Sequence, residues 1–538
     1  MEGGYWFILY ESHLKDYKCF MDKLLIDGET LKIDDVVAVA EGLRVEIDPS
    51  ARPRLERSRE AVESLVESGQ VVYGINTGFG RFKDKIIELD EIRQLQHNLV
   101  RSHAVGVGPP LSDQVVRAML LVRANTLTLG HSGVRPLLVE MLVDMLNRGI
   151  HPVIPSQGSL GASGDLAPIA HLALVLIGEG VANYQGELVS GKEALKLAGL
   201  KPLSLEPKEG LALLNGTTQM VATGSLLVRR AINLALTADV AACLSLEALK
   251  GTDRAYDARV HAVRPHPRQI DCAKFLRELL EGSGFLRTPN KLNVQDPYTL
   301  RCVPQVHGAV RDSIAYARWV INIELNSVND NPIIFVEEDG GEIDVISAGN
   351  FHGEPVALSM DYLKLGLTEL GNMSERRIAR LVDADSNSGA LPMFLTEKGG
   401  VESGFMMAQY TAAALASENK VLVHPASADS IPTSANVEDH VSMGATATRQ
   451  AEQILGHIEI IVAIELLAAA QGIDFQLRRA EEPISLGKGT ATAYELIRQE
   501  VDFMEVDSVL SIPIEQIRQL VASGRIKEKA EVAVGASD

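Results

Sequence analysis

Gly158-Ser159-Leu160-Gly161-Ala162-Ser163-Gly164-Asp165-Leu166-Ala167-Pro168 is the stretch around which this 538-residue chain is organised. Its three closely spaced glycines keep both helix and strand from forming, so it reads as a loop. Asp165 then stands where it can cap a helix running from Pro168-Ile169-Ala170-His171 onward.

The centre of the loop, Ala162-Ser163-Gly164, allows a reaction of the backbone itself. In a tight bend the Gly164 nitrogen can attack the Ala162 carbonyl carbon and close a five-membered ring across Ser163. Loss of two waters, one of them taking the Ser163 hydroxyl, leaves a methylidene-imidazolone. Glycine offers the least hindered amide nitrogen, alanine a small acyl carbon, and serine a β-hydroxyl that can leave. The product is an electrophile, which no unmodified side chain supplies. The plain alternative is a Gly/Ser-rich turn ahead of a helix. Two other active readings fail on spacing. A G-x-S-x-G elbow would need its second glycine at Asp165, and no register gives G-x-x-x-x-G-K-[ST].

Composition sets the setting. A hydrophobic content of 46% is ample for a large core, and a net charge of -20 argues against nucleic acid and anionic membrane surfaces. Cys19, Cys243, Cys272 and Cys302 are too scattered for a disulfide framework or a C-x-x-C metal site, which fits a reducing cytoplasm. No His/Asp/Glu set has ligand spacing, so no metal is expected. Tyr5-Trp6-Phe7-Ile8-Leu9-Tyr10 is too short to span a bilayer, and residues 1–22 read as a disordered N-terminal extension. The apolar run Ile458 to Ala470 carries Glu459 and Glu465 and reads as a buried bundle helix.

Along the chain, Ile26-Asp27-Gly28-Glu29-Thr30 suggests a hairpin turn, followed by helices over Leu31 to Ala40 and Arg52 to Glu67. Val71 to Gly80 surrounds Tyr73 with glycines, a candidate lid with a phenol at its tip. Gln96 to His103 closes a helix. Long helical patterns follow over Val115 to Leu129, Pro136 to Asn147, Pro168 to Ile177, Ser225 to Leu249, Arg311 to Leu325, Val356 to Val382 and Gly404 to Val423. Gly251 to Leu292 is polar and broken. On a helix begun at Pro297, Tyr298 and Arg301 share a face, so a phenol and a guanidinium could engage one carboxylate. Ile333 to Glu337 and Ile343 to Ile346 read as a hairpin about Asp339-Gly340-Gly341. Helical segments far outnumber strands, which predicts a mainly α bundle of long helices topped by loops, several apolar enough to need neighbours from other subunits.

With these residues in hand, the chain resembles the ammonia-lyases and aminomutases acting on histidine, phenylalanine and tyrosine, over nearly its whole length from about Ile26. The resemblance implies a fumarase/aspartase-like long-helix bundle assembled as a homotetramer with shared active sites. It also implies a methylidene-imidazolone (MIO) formed from Ala162-Ser163-Gly164, with no external cofactor. The expected organisation is an N-terminal domain over 23–220, holding the lid (71–80) and the MIO loop (158–168), then a helix bundle over 221–475 and C-terminal helices over 476–538. By the same resemblance Tyr73 removes the β-proton, and Arg301, with Asn215, binds the substrate carboxylate. Tyr298, Gln295 and Phe351 line the prosthetic group and the amine; His103 and Glu418 face the substrate side chain.

Ser102-His103, Ala416-Ser417-Glu418-Asn419-Lys420 and Pro432-Thr433-Ser434-Ala435-Asn436-Val437-Glu438-Asp439-His440-Val441-Ser442-Met443-Gly444 resemble the histidine branch, which implies that L-histidine is converted to trans-urocanate and ammonia. Val437, where that branch usually has Gln, and the Asp383 to Ala390 segment depart from it. A tyrosine or phenylalanine lyase or 2,3-aminomutase, or a non-catalytic structural homologue, are the alternatives. One physical demand falls on any of the catalytic versions. An ordinary tyrosine is roughly 0.1% ionised at pH 7, a shortfall of about 4 kcal/mol, so Tyr73 as base needs a site that stabilises phenolate.

Overall fold

Helical apolar periodicity becomes long helices in the computed structural model, which describes residues 22–78, 80–82, 84–88, 91–287, 294–337 and 341–535. Nearly all of the extension at 1–22, together with Phe79 of the tyrosine loop and Asp339-Gly340 of the hairpin, lies outside the described residues. The bundle is built from Thr218–Ala248, Val303–Glu324, Glu354–Val382, Met406–Leu422 and Gly444–Arg479. Thr218–Ala248 is apolar around most of its circumference and is accordingly buried, packed between Gly444–Arg479, Val303–Glu324, Glu354–Val382 and Asp113–Thr128. Among the described residues two helices are long and apolar enough to cross a membrane, Thr218–Ala248 and Gly444–Arg479, but 94% and 78% of their most apolar windows are buried inside the chain.

Buried polar groups tie the helices together. Glu465 receives the Arg377 guanidinium twice, at 2.5 and 2.9 Å, and the hydroxyls of Ser245 and Ser374 at 2.7 and 2.6 Å, so one carboxylate joins three long helices. Each of its oxygens is paired, as a charge in a dry interior requires. A second node joins residues distant in sequence. Asp239 accepts from His307 Nδ1 at 2.5 Å, from Cys272 Sγ at 3.5 Å and from Arg311. No sequence spacing announced this cluster of Asp239, Cys272 and His307, whose ligand atoms lie within 4.8 Å of one another. The Arg311 guanidinium supplies the positive charge that Asp239 needs there. Burial pushes the Cys272 thiol well up and the His307 imidazole down.

Three local expectations are corrected. Ile26 to Thr30 does not close a hairpin; Lys23–Ile26 pairs in parallel with Arg44–Ile47, and Ile33–Ala40 is the crossover that a parallel pair requires. The helices expected from Ser225 and Arg311 begin at Thr218 and Val303, because Thr-, Gln- and Pro-containing first turns hide the apolar period. The broken polar stretch after Gly251 contains a full helix, Pro267–Leu279. Ile333–Val336 and Ile343–Ile346 do pair as an antiparallel ribbon.

Candidate active site

The Gly158 to Pro168 loop is bent by glycines in the left-handed region, with Gly161 at φ +68° and Gly164 at φ +77°. Its position is fixed by a parallel bridge to Gly216, in which Gly216 N–H donates to the Ser163 carbonyl (3.4 Å) and Asp165 N–H donates to the Gly216 carbonyl (2.7 Å). The Asn215 amide adds a 2.7 Å bond to the same Ser163 oxygen. A Cβ on Gly164 would collide with the Gly216 backbone, so this close approach requires glycine on top of the positive φ. Because the bridge is made by the neighbours of Gly164, the Gly164 nitrogen itself is left outside it. That is the atom the ring closure needs, and Ala162, the acyl donor, is small and buried beside it. The residues present therefore fit the methylidene-imidazolone.

Asp165 precedes the Leu166–Leu176 helix as expected, but its carboxylate does not cap that helix. It accepts instead from Met220 N–H at 2.9 Å, in the first turn of Thr218–Ala248, and from Ser159 Oγ at 3.3 Å. One side chain thus pins the loop to the long central helix. Burial pushes its pKa up to about 7.

Above the tripeptide lies a cavity of about 720 Å³ lined by Tyr73, His103, Ala162, Ser163, Asn215, Phe351 and Glu438 among others. Six of the eleven expected site residues share it, counting Ala162 and Ser163. Gly164 sits directly behind them. Burial raises the Tyr73 phenol; a Gly80 backbone hydrogen bond pulls the other way, and the Glu438 carboxylate adds to the rise. Burial lowers the His103 imidazole, and its Nδ1 lies 2.8 Å from the Leu99 carbonyl. Donation from Nδ1 leaves Nε2 as an acceptor on a neutral ring.

Glu438 lines this cavity although the sequence assigned it no place in the site. Ser163 Oγ donates to its Oε1 at 3.2 Å, and Thr433 Oγ1 to its Oε2 at 3.1 Å. The signal was present as an acidic pair before His440 in a Pro/Ser-rich loop. Glu418, which was given the substrate-facing role, stands exposed on Met406–Leu422, 3.8 Å from His457 Nε2 and outside the lining of this cavity. His352 and His440 also line the cavity, with ring centroids 5.5 Å apart. The rim holds strain: Ser434, Ala435 and Asn436 are all left-handed, at φ +50°, +53° and +64°, and Ser434 Oγ packs where a Gly80 Cβ would be.

Gln295, Tyr298 and Arg301 lie elsewhere on the surface. Tyr298 is 69% exposed, and the Arg301 guanidinium stacks on its ring at 4.5 Å, the shared face expected from the sequence. Arg301 makes no ion pair among the described residues, and its buried Nε has no acceptor there.

The chain is similar to known proteins along nearly its whole length. The pattern of the aromatic amino acid lyase family matches residues 31–499. A histidine ammonia-lyase of Chloroflexus aurantiacus is 57% identical, the alignment covering 95% of this chain and 98% of the relative. Among solved structures, histidine ammonia-lyase from Trypanosoma cruzi matches with a TM-score of 0.87 at 40% identity, covering 95% of each chain. Tyrosine aminomutase from Streptomyces globisporus matches with a TM-score of 0.89 at 38% identity, covering 95% of this chain and 99% of that one. By matched length, identity and shared fold, the chain belongs to the aromatic amino acid lyase family.

Proposed function

We propose that this protein eliminates ammonia from L-histidine without oxidation, releasing trans-urocanate, with an MIO group made from Ala162-Ser163-Gly164. The observation that carries the reading is the glycine-bent tripeptide on the cavity floor, its Gly164 nitrogen unengaged in the bridge, with Tyr73, His103 and Glu438 facing it. The 57% identity to a histidine ammonia-lyase favours histidine within the family.

When formed, the ring supplies an electrophilic alkene that accepts electron density from the bound amino acid and so eases departure of ammonia. The remaining work falls to side chains. Tyr73 takes the β-proton at its phenolic oxygen. In this chain burial and Glu438 oppose its ionisation, so a cation must arrive with the completed site. His103 Nε2 accepts a hydrogen bond from the substrate imidazole. Glu438 holds donors of the imidazole or the amine from beside Ser163, and Glu418, exposed and outside the cavity of one chain, faces the substrate side chain from a neighbouring copy. Asn215 and Arg301 bind the carboxylate, while Phe351, Tyr298 and Gln295 close around the reacting centre.

Since Gln295, Tyr298 and Arg301 lie outside this cavity, we propose that a second copy delivers them within a homotetramer. Exposed Tyr316, Trp319 and Tyr362 on adjacent long helices, with the Tyr316 ring centroid 5.9 Å from each of the other two in tilted and edge-on contacts, support such a face. Cys243, Cys272 and Cys302 are unpaired, which suits the cytoplasm.

The test is to incubate the protein separately with L-histidine, L-tyrosine and L-phenylalanine, following ammonia and the absorbance of a conjugated acrylate, with Ser163→Ala alongside. Urocanate from histidine alone, lost in the variant, and an intact mass short by two waters support the reading. Coumarate, cinnamate or a β-amino acid instead overturns the substrate.

A further inference from the structure

The Tyr298–Arg301 helix has four residues, too few to satisfy its own backbone carbonyls. Buried side chains from other elements do so. Tyr256, with no exposed surface, donates its hydroxyl to the Leu300 carbonyl at 2.6 Å. Arg377, equally buried, donates Nη1 to the Thr299 carbonyl at 3.3 Å. Just upstream, Asp296 accepts from Thr252 N–H at 2.7 Å and from Arg287, fixing the chain as it enters the turn.

Arg377 is not free to swing, because its other nitrogens are committed to Glu465, which two serine hydroxyls hold in turn. The turn is therefore clamped from its inner side by donors that never reach solvent. Its outer side presents Tyr298 and an Arg301 guanidinium that makes no ion pair among the described residues.

We infer that Tyr256 and the Arg377–Glu465 pair are positioning residues for the reaction. By holding the Thr299 and Leu300 carbonyls they fix Arg301 in the geometry in which it meets the substrate carboxylate in a neighbouring copy. The ordering of that turn is completed in folding, so it does not have to be repeated at each binding event. The inference rests on the proposed role of Arg301 and deepens it.

The experiment uses the assembled enzyme carrying Tyr256→Phe, which deletes one hydroxyl and keeps the ring, with Arg377→Lys as a second variant should the first fail to fold. Three probes separate positioning from general damage. L-histidine carries amine, imidazole and carboxylate; imidazole-4-propionate keeps the carboxylate and lacks the amine; histamine keeps the amine and lacks the carboxylate. Loss of one positioning hydrogen bond is expected to raise KM for histidine and Ki for imidazole-4-propionate about 5- to 10-fold, with kcat within about twofold and Ki for histamine unchanged. Amide hydrogen exchange in the peptide spanning 294–302 should quicken in the same variant.

Histamine binding that weakens in parallel with histidine, or carboxylate binding that does not change, overturns the inference. Arg301→Lys in the otherwise native enzyme separates the two levels of the argument. Unchanged imidazole-4-propionate binding in that variant means that Arg301 does not hold the carboxylate, whatever holds Arg301.

Discussion

At the scale of single residues, the site divides between groups that react and groups that keep them in place. With Tyr73 as the proposed base, Tyr73→Phe should lower kcat by about 10²- to 10⁴-fold, the usual span for a general base, measured as urocanate formation. Because burial and Glu438 raise the Tyr73 phenol, and its ionised form is the one needed, kcat/KM should climb with pH through neutrality; Glu438→Gln should move that limb to lower pH while slowing turnover. Asp165 gives a stability prediction. Its pKa is raised to about 7 by burial, so between about pH 4 and that value the folded chain keeps a proton the unfolded chain has released. Unfolding free energy should then fall with rising pH by up to about 1.4 kcal/mol per unit and level off above, and Asp165→Asn, seen by denaturant midpoints at several pH values, should flatten that decline. What could be read from the sequence at this scale was the chemistry of Ala162-Ser163-Gly164, placed by what its atoms can do, whereas the expected roles of Tyr73, His103 and Asn215 came from the family resemblance. What could not be read was that Glu438, twenty positions after Glu418, lines the cavity of a single chain while Glu418 stands exposed outside it, because the path of the loop after Pro432 places both.

At the scale of elements, a helix was legible wherever its apolar residues followed one face, as in Pro136–Asn147, and obscured where polar first turns came before the periodic part, as in Thr218–Ala248. Caps were harder. Asp165 sits at the start of one helix and serves another, because the bridge to Gly216 turns its carboxylate toward Met220; no local pattern encodes a partner brought in by the fold. The parallel pairing of Lys23–Ile26 escaped for the same reason. Between long helices the Arg377–Glu465 pair makes its own prediction. Glu465→Ala leaves a buried guanidinium uncompensated and should cost about 3–5 kcal/mol, seen as a large fall in melting temperature, whereas the double replacement Arg377→Met/Glu465→Leu should recover most of it.

For the whole molecule, a bundle core can be expected from composition and shared active sites from the family resemblance, but not which expected site residues a single chain gathers, since sequence order says nothing about which surface a loop ends on. Gln295, Tyr298 and Arg301 follow Asn215 by fewer than ninety positions and yet lie outside the cavity that Asn215 lines. Complementation checks whether two chains share one site. Ser163→Ala and Arg301→Ala proteins, each inactive, should regain activity when co-expressed, because a hybrid interface pairs an intact tripeptide from one chain with an intact arginine from the other. Trp319→Glu, on the exposed aromatic face and outside the lining of the cavity, should lower both the assembly mass in light scattering and the rate.

The outward-facing Tyr298–Arg301 turn carries one more consequence. If Arg301 grips the carboxylate from a second copy, as proposed, a solitary chain has a basin for the amino acid without that grip, and catalytic competence becomes a property of the population that obeys mass action. Specific activity should decline on serial dilution below the dissociation constant of the assembly, and return, without refolding, when the sample is concentrated again or when saturating substrate draws the copies back together.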